Sequence, residues 1–216
     1  MRVFVTGAAG FIGSGVVPDL IAAGHTVTGL ARSDANVETL KRMGADVLRG
    51  SLEDIDSLKR GSAEADGVIH LAFIHDFAKF AENGQIDKRA IEAMGETLTG
   101  TNKPLVVTSG VGLLAPGRLS SEEDVAHVGE SIPRVSENAV LPFATRGVRV
   151  SAVRLPQVHG ADGKAGFVEY LFRIARDKGF AAYVGDGSNR WAAAHRADVA
   201  PVYRLALEKG VAGACY

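Results

Sequence analysis

A glycine-rich turn near the start of the chain decides the fold: Gly7-Ala8-Ala9-Gly10-Phe11-Ile12-Gly13. A β-branched run at residues 2–6 predicts a strand before it, and residues 11–23 follow with the apolar spacing of a helix. Gly7 allows a tight turn, Gly10 lets backbone approach a pyrophosphate, and Gly13 lets the helix pack on the strand. The amides at the helix start then point towards an anion. This context predicts a dinucleotide site at Gly7, Gly10, Phe11, Ile12 and Gly13, the alternative being glycines that serve only a turn.

The alternation of strand and helix patterns continues along the chain. Apolar runs predict further strands at 25–30, 46–48, 67–71, 105–108 and 148–154, and helical spacing predicts helices at 85–98, 167–178 and 198–209. Strands that are apolar on both faces are typical of a buried parallel sheet. The expected fold class is α/β, a Rossmann doubly wound parallel sheet flanked by helices, in a single domain over residues 1–216. The longest loop is predicted at 117–131.

Charge and composition exclude several classes of function. The formal net charge is −1, so electrostatics give no case for binding nucleic acid or an anionic membrane. The single cysteine, Cys215, allows no disulfide framework, and the histidines show no metal-ligand spacing, so no metal is expected. The apolar run after Met1 is too short for a signal peptide. We expect a soluble protein in a reducing, cytoplasmic compartment.

The end of the second predicted strand bears on the choice of dinucleotide. NAD-binding proteins usually place a carboxylate there for the ribose 2′-hydroxyl, whereas this chain has Ala31-Arg32-Ser33. A guanidinium matches a 2′-phosphate in charge and in forked geometry, and the Ser33 hydroxyl adds a further hydrogen-bonding group. These residues predict NADP rather than NAD as the cofactor. The alternative is that Arg32 is a solvated surface side chain.

Several segments besides the glycine turn carry a family resemblance. They are His70-Leu71-Ala72, Val106-Val107-Thr108-Ser109, Val153-Arg154-Leu155-Pro156-Gln157-Val158-His159-Gly160, Gly185-Asp186-Gly187 and His195-Arg196-Ala197-Asp198-Val199. Over nearly its whole length the chain resembles the extended and atypical branch of the short-chain dehydrogenase/reductase superfamily, often labelled NAD-dependent epimerase/dehydratase.

The resemblance implies further binding residues. In that family the adenine would lie by Ser51 and Leu52, the ribose and phosphates along Leu71, Ala72 and Phe73, and the nicotinamide against Pro156 and Val158. Residues 156–216 would form a reduced substrate-binding region, because extended members usually continue further along the chain. Arg190 matches a position that often holds a substrate phosphate, its alternative being a surface salt bridge. The helix at 85–98 often packs in a homodimer in that family.

The chain departs from the family's catalytic pattern. The family uses a Tyr as acid/base and a Lys four residues later that lowers the Tyr pKa, since an unassisted phenol with a pKa of about 10 is a poor base at neutral pH. When Ser136 is matched to the Ser of that motif, Pro133 stands at the Tyr position and Glu137 at the Lys position. A carboxylate cannot lower the pKa of a neighbouring phenol.

Three residues are candidates for the remaining chemistry. By resemblance, Ser109 approximates the catalytic Ser, with Gly110 as the alternative match to that position, and Asp87 falls where the family has an Asn. His75 follows the fourth strand, at the edge where ligands of α/β sheets collect, and is a candidate base. Each has a structural alternative: Ser109 as a strand-end hydroxyl, Asp87 as a helix-capping residue, and His75 as an exposed loop residue.

Two functions follow from these observations. The first is an NADP-dependent oxidoreductase or epimerase/dehydratase-like enzyme that acts on a small carbonyl or sugar-like substrate. The second is a sensor or scaffold protein that binds NADP(H) without turning it over, which the missing Tyr and Lys favour.

Overall fold

The computed structural model describes residues 1–114, 117–126, 135–160 and 166–216. Nine strands form within these ranges: β1 (Arg2–Thr6), β2 (Thr26–Ala31), β3 (Asp46–Arg49), β4 (Gly67–His70), β5 (Pro104–Gly110), β6 (Arg149–Leu155), β7 (Gln157–His159), β8 (Ala193–His195) and β9 (Ala214–Cys215). Seven of them build one parallel sheet in the order β3-β2-β1-β4-β5-β6-β9. The predicted α/β, Rossmann doubly wound fold is confirmed. The strand order reverses between β1 and β4, and in open α/β sheets ligands bind at the carboxyl ends of the strands at such a point.

Helices cover both faces of the sheet. They are α1 (Gly13–Ala22), α2 (Asp34–Arg42), α3 (Ile55–Glu64), α4 (Phe80–Leu98), α5 (Ser136–Val140), α6 (Phe167–Lys178) and α7 (Arg196–Lys209). Short 3₁₀ turns lie at Phe77–Lys79, Val111–Leu113 and Leu141–Arg146. Side chains of α1, α2 and α7, such as Val17, Leu40 and Leu207, form one core cluster. Side chains of α3, α4 and α5, such as Leu58 and Met94, form the other.

The sequence predicted most element positions closely. The first strand and the helix at 167–178 have the predicted bounds. A short last strand, β9, pairs with β6. The predicted 85–98 helix begins earlier, at Phe80. The predicted loop at 117–131 is described only as far as residue 126, and that part is in turn and irregular conformation.

Helices α2 and α3 are among those that the sequence did not predict, because their buried residues are few or small. In α2, Val37 and Leu40 are the buried side chains, which is too short a stripe to show a period. In α3 the buried positions include Ser57, Gly61 and Ser62. A Cβ at Gly61 would lie 2.5 Å from the Phe4 ring, so packing here requires small residues rather than apolar ones.

The C-terminal part of the chain adds a smaller layer. Strands β7 and β8 form a separate parallel pair, with Gln157 opposite Ala193 and His159 opposite His195. Helix α6 has no buried residue, although its sequence is rich in aromatic and aliphatic side chains. No helix within the described residues is long and apolar enough to cross a membrane.

Candidate functional site

The glycine turn between β1 and α1 has the geometry that the sequence predicts. Gly7 adopts the left-handed conformation, with φ of +67°, and a Cβ there would lie 2.7 Å from the Ala72 amide nitrogen. The Gly10 amide donates to the Gly7 carbonyl oxygen at 2.9 Å. A Cβ at Gly13 would lie 2.3 Å from the carbonyl oxygens of both Gly7 and Ala8. These three positions therefore hold a tight turn against the end of β4, and side chains at positions 7 and 13 would destroy it.

The start of α1 is suited to an anion. Ile12 stands at the N-cap and supplies no side-chain hydrogen bond, and the first turn carries no acidic residue. The start of a helix carries partial positive charge that attracts anions, and the first turn of α1 has no carboxylate that would compete for it. The turn and the helix start together fit the pyrophosphate of a dinucleotide.

Two arginines lie near the predicted adenosine end of the site. Arg32 is exposed directly after β2, and Ser33 caps α2 by accepting a hydrogen bond from the Asn36 amide at 3.3 Å. A second arginine, Arg49, was not predicted as a site residue; it ends β3 and pairs with the carboxylate of Asp34. Parallel register places Arg49 beside Ala31, the last residue of β2. Arg49 could have been predicted from its place at the end of the third predicted strand, because neighbouring parallel strands end at the same edge of the sheet.

The other predicted cofactor-binding residues follow neighbouring strands. Ser51 follows β3 closely, and its Oγ accepts hydrogen bonds from the Glu53 and Asp54 amides at 3.3 Å each. Leu52 is half-buried beside it.

The remaining ones lie after β4 and β6. Leu71, Ala72 and Phe73 are half-buried after β4. Pro156 is half-buried between β6 and β7, and Val158 is buried in β7. All five residues lie close to the carboxyl ends of the strands that carry them.

A buried chain of hydrogen bonds links Thr6, His70, Asp87 and Ser136. Thr6 Oγ1 lies 2.7 Å from His70 Nδ1, His70 Nε2 lies 2.9 Å from Asp87 Oδ1, and Ser136 Oγ donates to Asp87 Oδ2 at 2.6 Å. Each of these residues is at most 1% exposed. The chain joins β1, β4, α4 and α5. It reaches the cofactor turn because the Ala72 amide donates to Thr6 Oγ1 at 3.3 Å.

The polarity of this chain follows from its end groups. A carboxylate only accepts hydrogen bonds, so His70 Nε2 and Ser136 Oγ both donate to Asp87. A neutral His70 then accepts from the Thr6 hydroxyl through Nδ1. Asp87, predicted as a catalytic residue, is thus enclosed by protein side chains, and it lies in the interior of α4 rather than at its cap.

Sequence reasoning did not assign a role to Thr6 or His70. Each is the polar last residue of an otherwise apolar strand, and Thr108 is a polar residue close to the end of β5. Thr108 Oγ1 donates to the His70 carbonyl oxygen at 2.9 Å. That recurring polar ending was the available signal. Only the strand order shows that these endings meet.

Glu137, at the position of the family's Lys, lies in a buried ion pair. Arg154 Nε donates to Glu137 Oε1 at 2.9 Å, and Arg154 Nη2 donates to Oε2 at 2.8 Å. Burial alone raises the pKa of Glu137, but the hydrogen bonds and charge of Arg154, aided by the nearby Ser109 hydroxyl, lower it below its usual value. Glu137 is therefore an ionised, paired group, and Arg154 neutralises it. Pro133, at the Tyr position, lies outside the described residues.

The other two predicted catalytic residues differ in setting. Ser109 is the second-last residue of β5 and lies beside this ion pair. Its buried Oγ makes no hydrogen bond of normal geometry with the described residues, although the hydroxyl is near enough to Glu137 to lower the pKa of that carboxyl. His75 is exposed, with Nδ1 3.1 Å from the Phe73 carbonyl oxygen and its ring edge-on to Phe73 at 5.2 Å. Ser109 is thus near Glu137 and Arg154, whereas the contacts described for His75 are with Phe73, in its own loop. Arg190 is exposed between α6 and β8.

No three His, Cys, Asp or Glu side chains of the described ranges are grouped so that they could hold a metal ion. Cys215 lies beside Glu137, with Sγ 3.7 Å from Oε2, and burial, followed by the charge of Glu137, raises the pKa of its thiol. A raised pKa disfavours the thiolate, which is the reactive form.

Comparisons with known proteins agree with this geometry. Residues 3–111 match the family described as the NAD dependent epimerase/dehydratase family. An uncharacterized protein of Schizosaccharomyces pombe is 50% identical over all of this chain and 74% of its own length. A 4-hydroxy-2-methyl-3-oxo-4-farnesyl-3,4-dihydroquinoline-1-oxide ketoreductase of Stigmatella aurantiaca is 29% identical over all of this chain and 67% of its own. Among solved structures, a double mutant of dTDP-glucose 4,6-dehydratase from Streptomyces venezuelae with NAD bound has a TM-score of 0.79 and 22% identity, over all of this chain and 74% of that one.

Proposed function

Because the chain belongs to the NAD-dependent epimerase/dehydratase family, we propose that it binds NADP(H) and serves as an oxidoreductase or epimerase/dehydratase-like enzyme for a small carbonyl or sugar-like substrate. The observation that carries the proposal is the Gly7–Gly13 turn, whose shape excludes side chains at two positions and leaves a helix start free of acidic residues. The bound cofactor would supply hydride chemistry at C4 of its nicotinamide.

The charges at the end of β2 support NADP over NAD. Two guanidinium groups, Arg32 and Arg49, stand there with one carboxylate, Asp34, which is already paired with Arg49. An NAD site would instead offer a carboxylate to the ribose 2′-hydroxyl. The local balance favours a ligand that carries an additional phosphate at this point.

Arg32→Glu tests the cofactor part of the proposal. Loss of one charge-assisted hydrogen bond is worth about 1.5–3 kcal/mol, so NADPH affinity should fall by roughly tenfold to a hundredfold. NADH affinity should stay or improve, because a carboxylate can accept from the 2′-hydroxyl. Arg173→Glu, an exposed arginine on α6, is the matched control because it changes the net charge equally. Calorimetric titration that finds no binding of either nucleotide to the folded wild-type protein would refute the proposal.

The chain's own residues define what it offers a substrate. Ser109 Oγ is a buried hydroxyl near the end of β5 that makes no hydrogen bond of normal geometry with the described residues. It can donate to a substrate oxygen when the site opens to admit one. The hydrogen-bonded side chains of His70, Asp87 and Ser136 hold one another in place and are buried from solvent. With NADPH and a panel of carbonyl and sugar-nucleotide compounds, Ser109→Ala should lower kcat without changing NADPH affinity.

One observation favours a second function, that of an NADP(H)-binding sensor or scaffold. The residue at the family's Lys position is Glu137, and its carboxylate is paired with Arg154. This position therefore offers no cation that could activate a phenol. For this function NADPH would bind, no compound of the panel would be turned over, and a protein partner would bind in an NADPH-dependent way. The homodimer and the cytoplasmic location remain predictions.

A further inference from the structure

Helix α7 begins with an imidazole as its cap. His195 stands at the N-cap position, and its Nδ1 accepts a hydrogen bond from the Ala197 amide at 3.2 Å. N-caps are usually Ser, Thr, Asp or Asn, whose oxygens remain acceptors throughout the neutral range of pH. Histidine is the side chain that changes its charge in that range. The start of α7 therefore depends on a group that can be protonated.

Protonation of His195 would remove this cap. Because Nδ1 accepts a hydrogen bond, the single proton of the neutral ring lies on Nε2. A second proton can bind only at Nδ1, where it turns the acceptor into a donor that faces the Ala197 amide. The imidazolium would also place a positive charge at a helix start, where cations are unfavourable. Both effects oppose the capped arrangement at acidic pH.

A second histidine stands directly opposite the first. His159 of β7 pairs with His195 of β8 in the parallel register, and the ring centres lie 5.5 Å apart with the planes at 69°. Like charges directly opposite one another destabilise a pair of strands. Within the described residues, the histidines that pair with a carboxylate are His25 and His70. Two imidazolium ions on β7 and β8 would therefore repel each other without a salt bridge to offset the repulsion.

The elements around this strand pair carry other charged groups. They are Glu169, Arg173, Arg176, Asp177 and Lys178 in α6, Arg190 before β8, and Arg196 and Asp198 in the first turn of α7. Glu169 pairs with Arg176, and Arg196 directs its guanidinium to Phe11 and Ser14. The hydrogen bond described for His195 is the one to the Ala197 amide, so the cap is the contact that a proton breaks.

The strand pair is joined to the predicted cofactor site. Val158 of β7 belongs to the core cluster against which Ala194 of β8 and Phe11 of the glycine turn also pack. Arg196 follows His195 in the chain, and its guanidinium carbon stands 4.9 Å from the centre of the Phe11 ring. Loss of the cap would therefore disturb side chains that border the predicted dinucleotide site.

We propose that His195 and His159 form a pH-sensitive switch that weakens dinucleotide binding on acidification. The inference rests on the proposed NADP(H) binding and adds a regulation to it. Neutral imidazoles keep β7, β8 and the start of α7 together, and protonation releases them. The closed arrangement binds fewer protons than the open one, so its stability is present above the range in which histidine titrates and is lost as pH falls through it.

The chain offers an optical probe of the switch itself. Trp191 is the only tryptophan, it stands two residues before β8, and its ring stacks on Phe167 at 5.9 Å. The Gln157 amide donates to the carbonyl oxygen of the neighbouring Ala192 at 2.9 Å, so release of β8 from β7 moves Trp191 as well. Its emission should show a transition between about pH 8 and pH 5 in wild type. His195→Asn, which keeps a capping oxygen and does not titrate, should abolish the transition.

Two further variants and a binding measurement complete the test. His159→Gln should make the transition shallower, because its steepness reports the number of protons taken up. His75→Gln, an exposed histidine outside the strand pair, is the matched control and should keep the wild-type transition. Calorimetry uses NADP⁺, which is stable in acid. From about pH 8 to pH 5.5 the wild-type affinity should fall about fivefold to tenfold more than that of His195→Asn, the value of one helix cap. Comparison with the variant cancels the titration of the nucleotide's own 2′-phosphate.

The outcomes separate the inference from the proposal beneath it. Equal fluorescence transitions in wild type and His195→Asn, or none in wild type, overturn the switch. Equal pH dependence of NADP⁺ affinity in the two proteins overturns its effect on the cofactor site and leaves NADP(H) binding intact. If the wild type binds no NADP⁺ even at pH 8, the proposed function itself fails. Should His195→Asn not fold, His195→Asp, whose carboxylate also caps helices and is ionised above about pH 5, takes its place with the same expectations.

Discussion

Removal of Arg154 should destabilise the fold strongly, because it leaves a carboxylate buried without its partner. Glu137 and Arg154 have side chains only 3% and 5% exposed and share two hydrogen bonds. Removing one partner of such a pair typically costs about 3–5 kcal/mol, while replacing both by apolar residues is often close to neutral. At about 2–4 °C per kcal/mol for a chain of this size, Arg154→Met should lower Tm by roughly 6–20 °C.

The pH dependence of this loss has a definite sign. In the wild-type protein the pKa of Glu137 is lowered, so the pair contributes stability above the unfolded-state pKa of the carboxyl and loses it as pH falls. In Arg154→Met, burial dominates and raises the pKa of Glu137. The variant's deficit relative to wild type should be largest at neutral pH and should shrink on acidification.

The double variant Glu137→Met/Arg154→Met is the control. Both variants lose the hydrogen bonds from Arg154 to the Glu122 and Asp124 carbonyl oxygens, so the difference between them isolates the orphaned carboxylate. Urea unfolding at neutral pH should show the double variant more stable than Arg154→Met. A free energy of unfolding for Arg154→Met within about 1 kcal/mol of wild type, a loss that surface pairs also reach, would contradict a costly orphaned carboxylate. A double variant less stable than Arg154→Met would contradict it as well.

Two further substitutions address the turn and the buried chain. Gly13→Ala places a Cβ 2.3 Å from two carbonyl oxygens and should lower NADPH affinity at least about tenfold in calorimetry, the value of one hydrogen bond. Gly112→Ala is the control, because a Cβ there would meet no atom within 4 Å, and it should leave the affinity unchanged. Equal NADPH affinities of the two variants would contradict the role of the turn. Asp87→Asn replaces one acceptor oxygen by a donor between His70 and Ser136, and it should lower the free energy of unfolding in urea by about 1–3 kcal/mol. Unchanged stability together with an unchanged His70 tautomer in ¹⁵N NMR would argue against the hydrogen-bond directions assigned to this chain.

Local patterns predicted the elements with strong spacing and missed those without it. Buried parallel strands and α6 were found because apolar runs and helical periods are properties of neighbouring residues. The helices α2 and α3 were missed because they pack through few or small side chains, such as Gly61 on Phe4. The glycine turn was predicted with its neighbouring strand and helix, because positive φ and close approach require glycine wherever the turn occurs.

The groups that pair with charged side chains could not be predicted from local sequence patterns. Arg32 and Ser109 were identified by position alone, whereas the place of Arg49 beside the end of β2 depends on strand register. Glu137 is a departure from a motif in the sequence, but its ionised state follows from Arg154, on another element. The spatial partner determines whether a buried polar residue is stable, so its chemistry cannot be deduced from its neighbours along the chain.

The strands β1 to β6, the helices with strong apolar spacing and the glycine turn thus follow from the amino-acid sequence alone, since each depends on contacts within a few residues. The chain from Thr6 through His70 and Asp87 to Ser136 required the tertiary structure, because its members lie 64, 17 and 49 residues apart. The sheet brings such residues together by its strand order, which places the carboxyl ends of β1, β4 and β5 side by side. Hydrogen bonds act over about 3 Å in space and are indifferent to separation along the chain, so only the folded arrangement shows which polar groups meet.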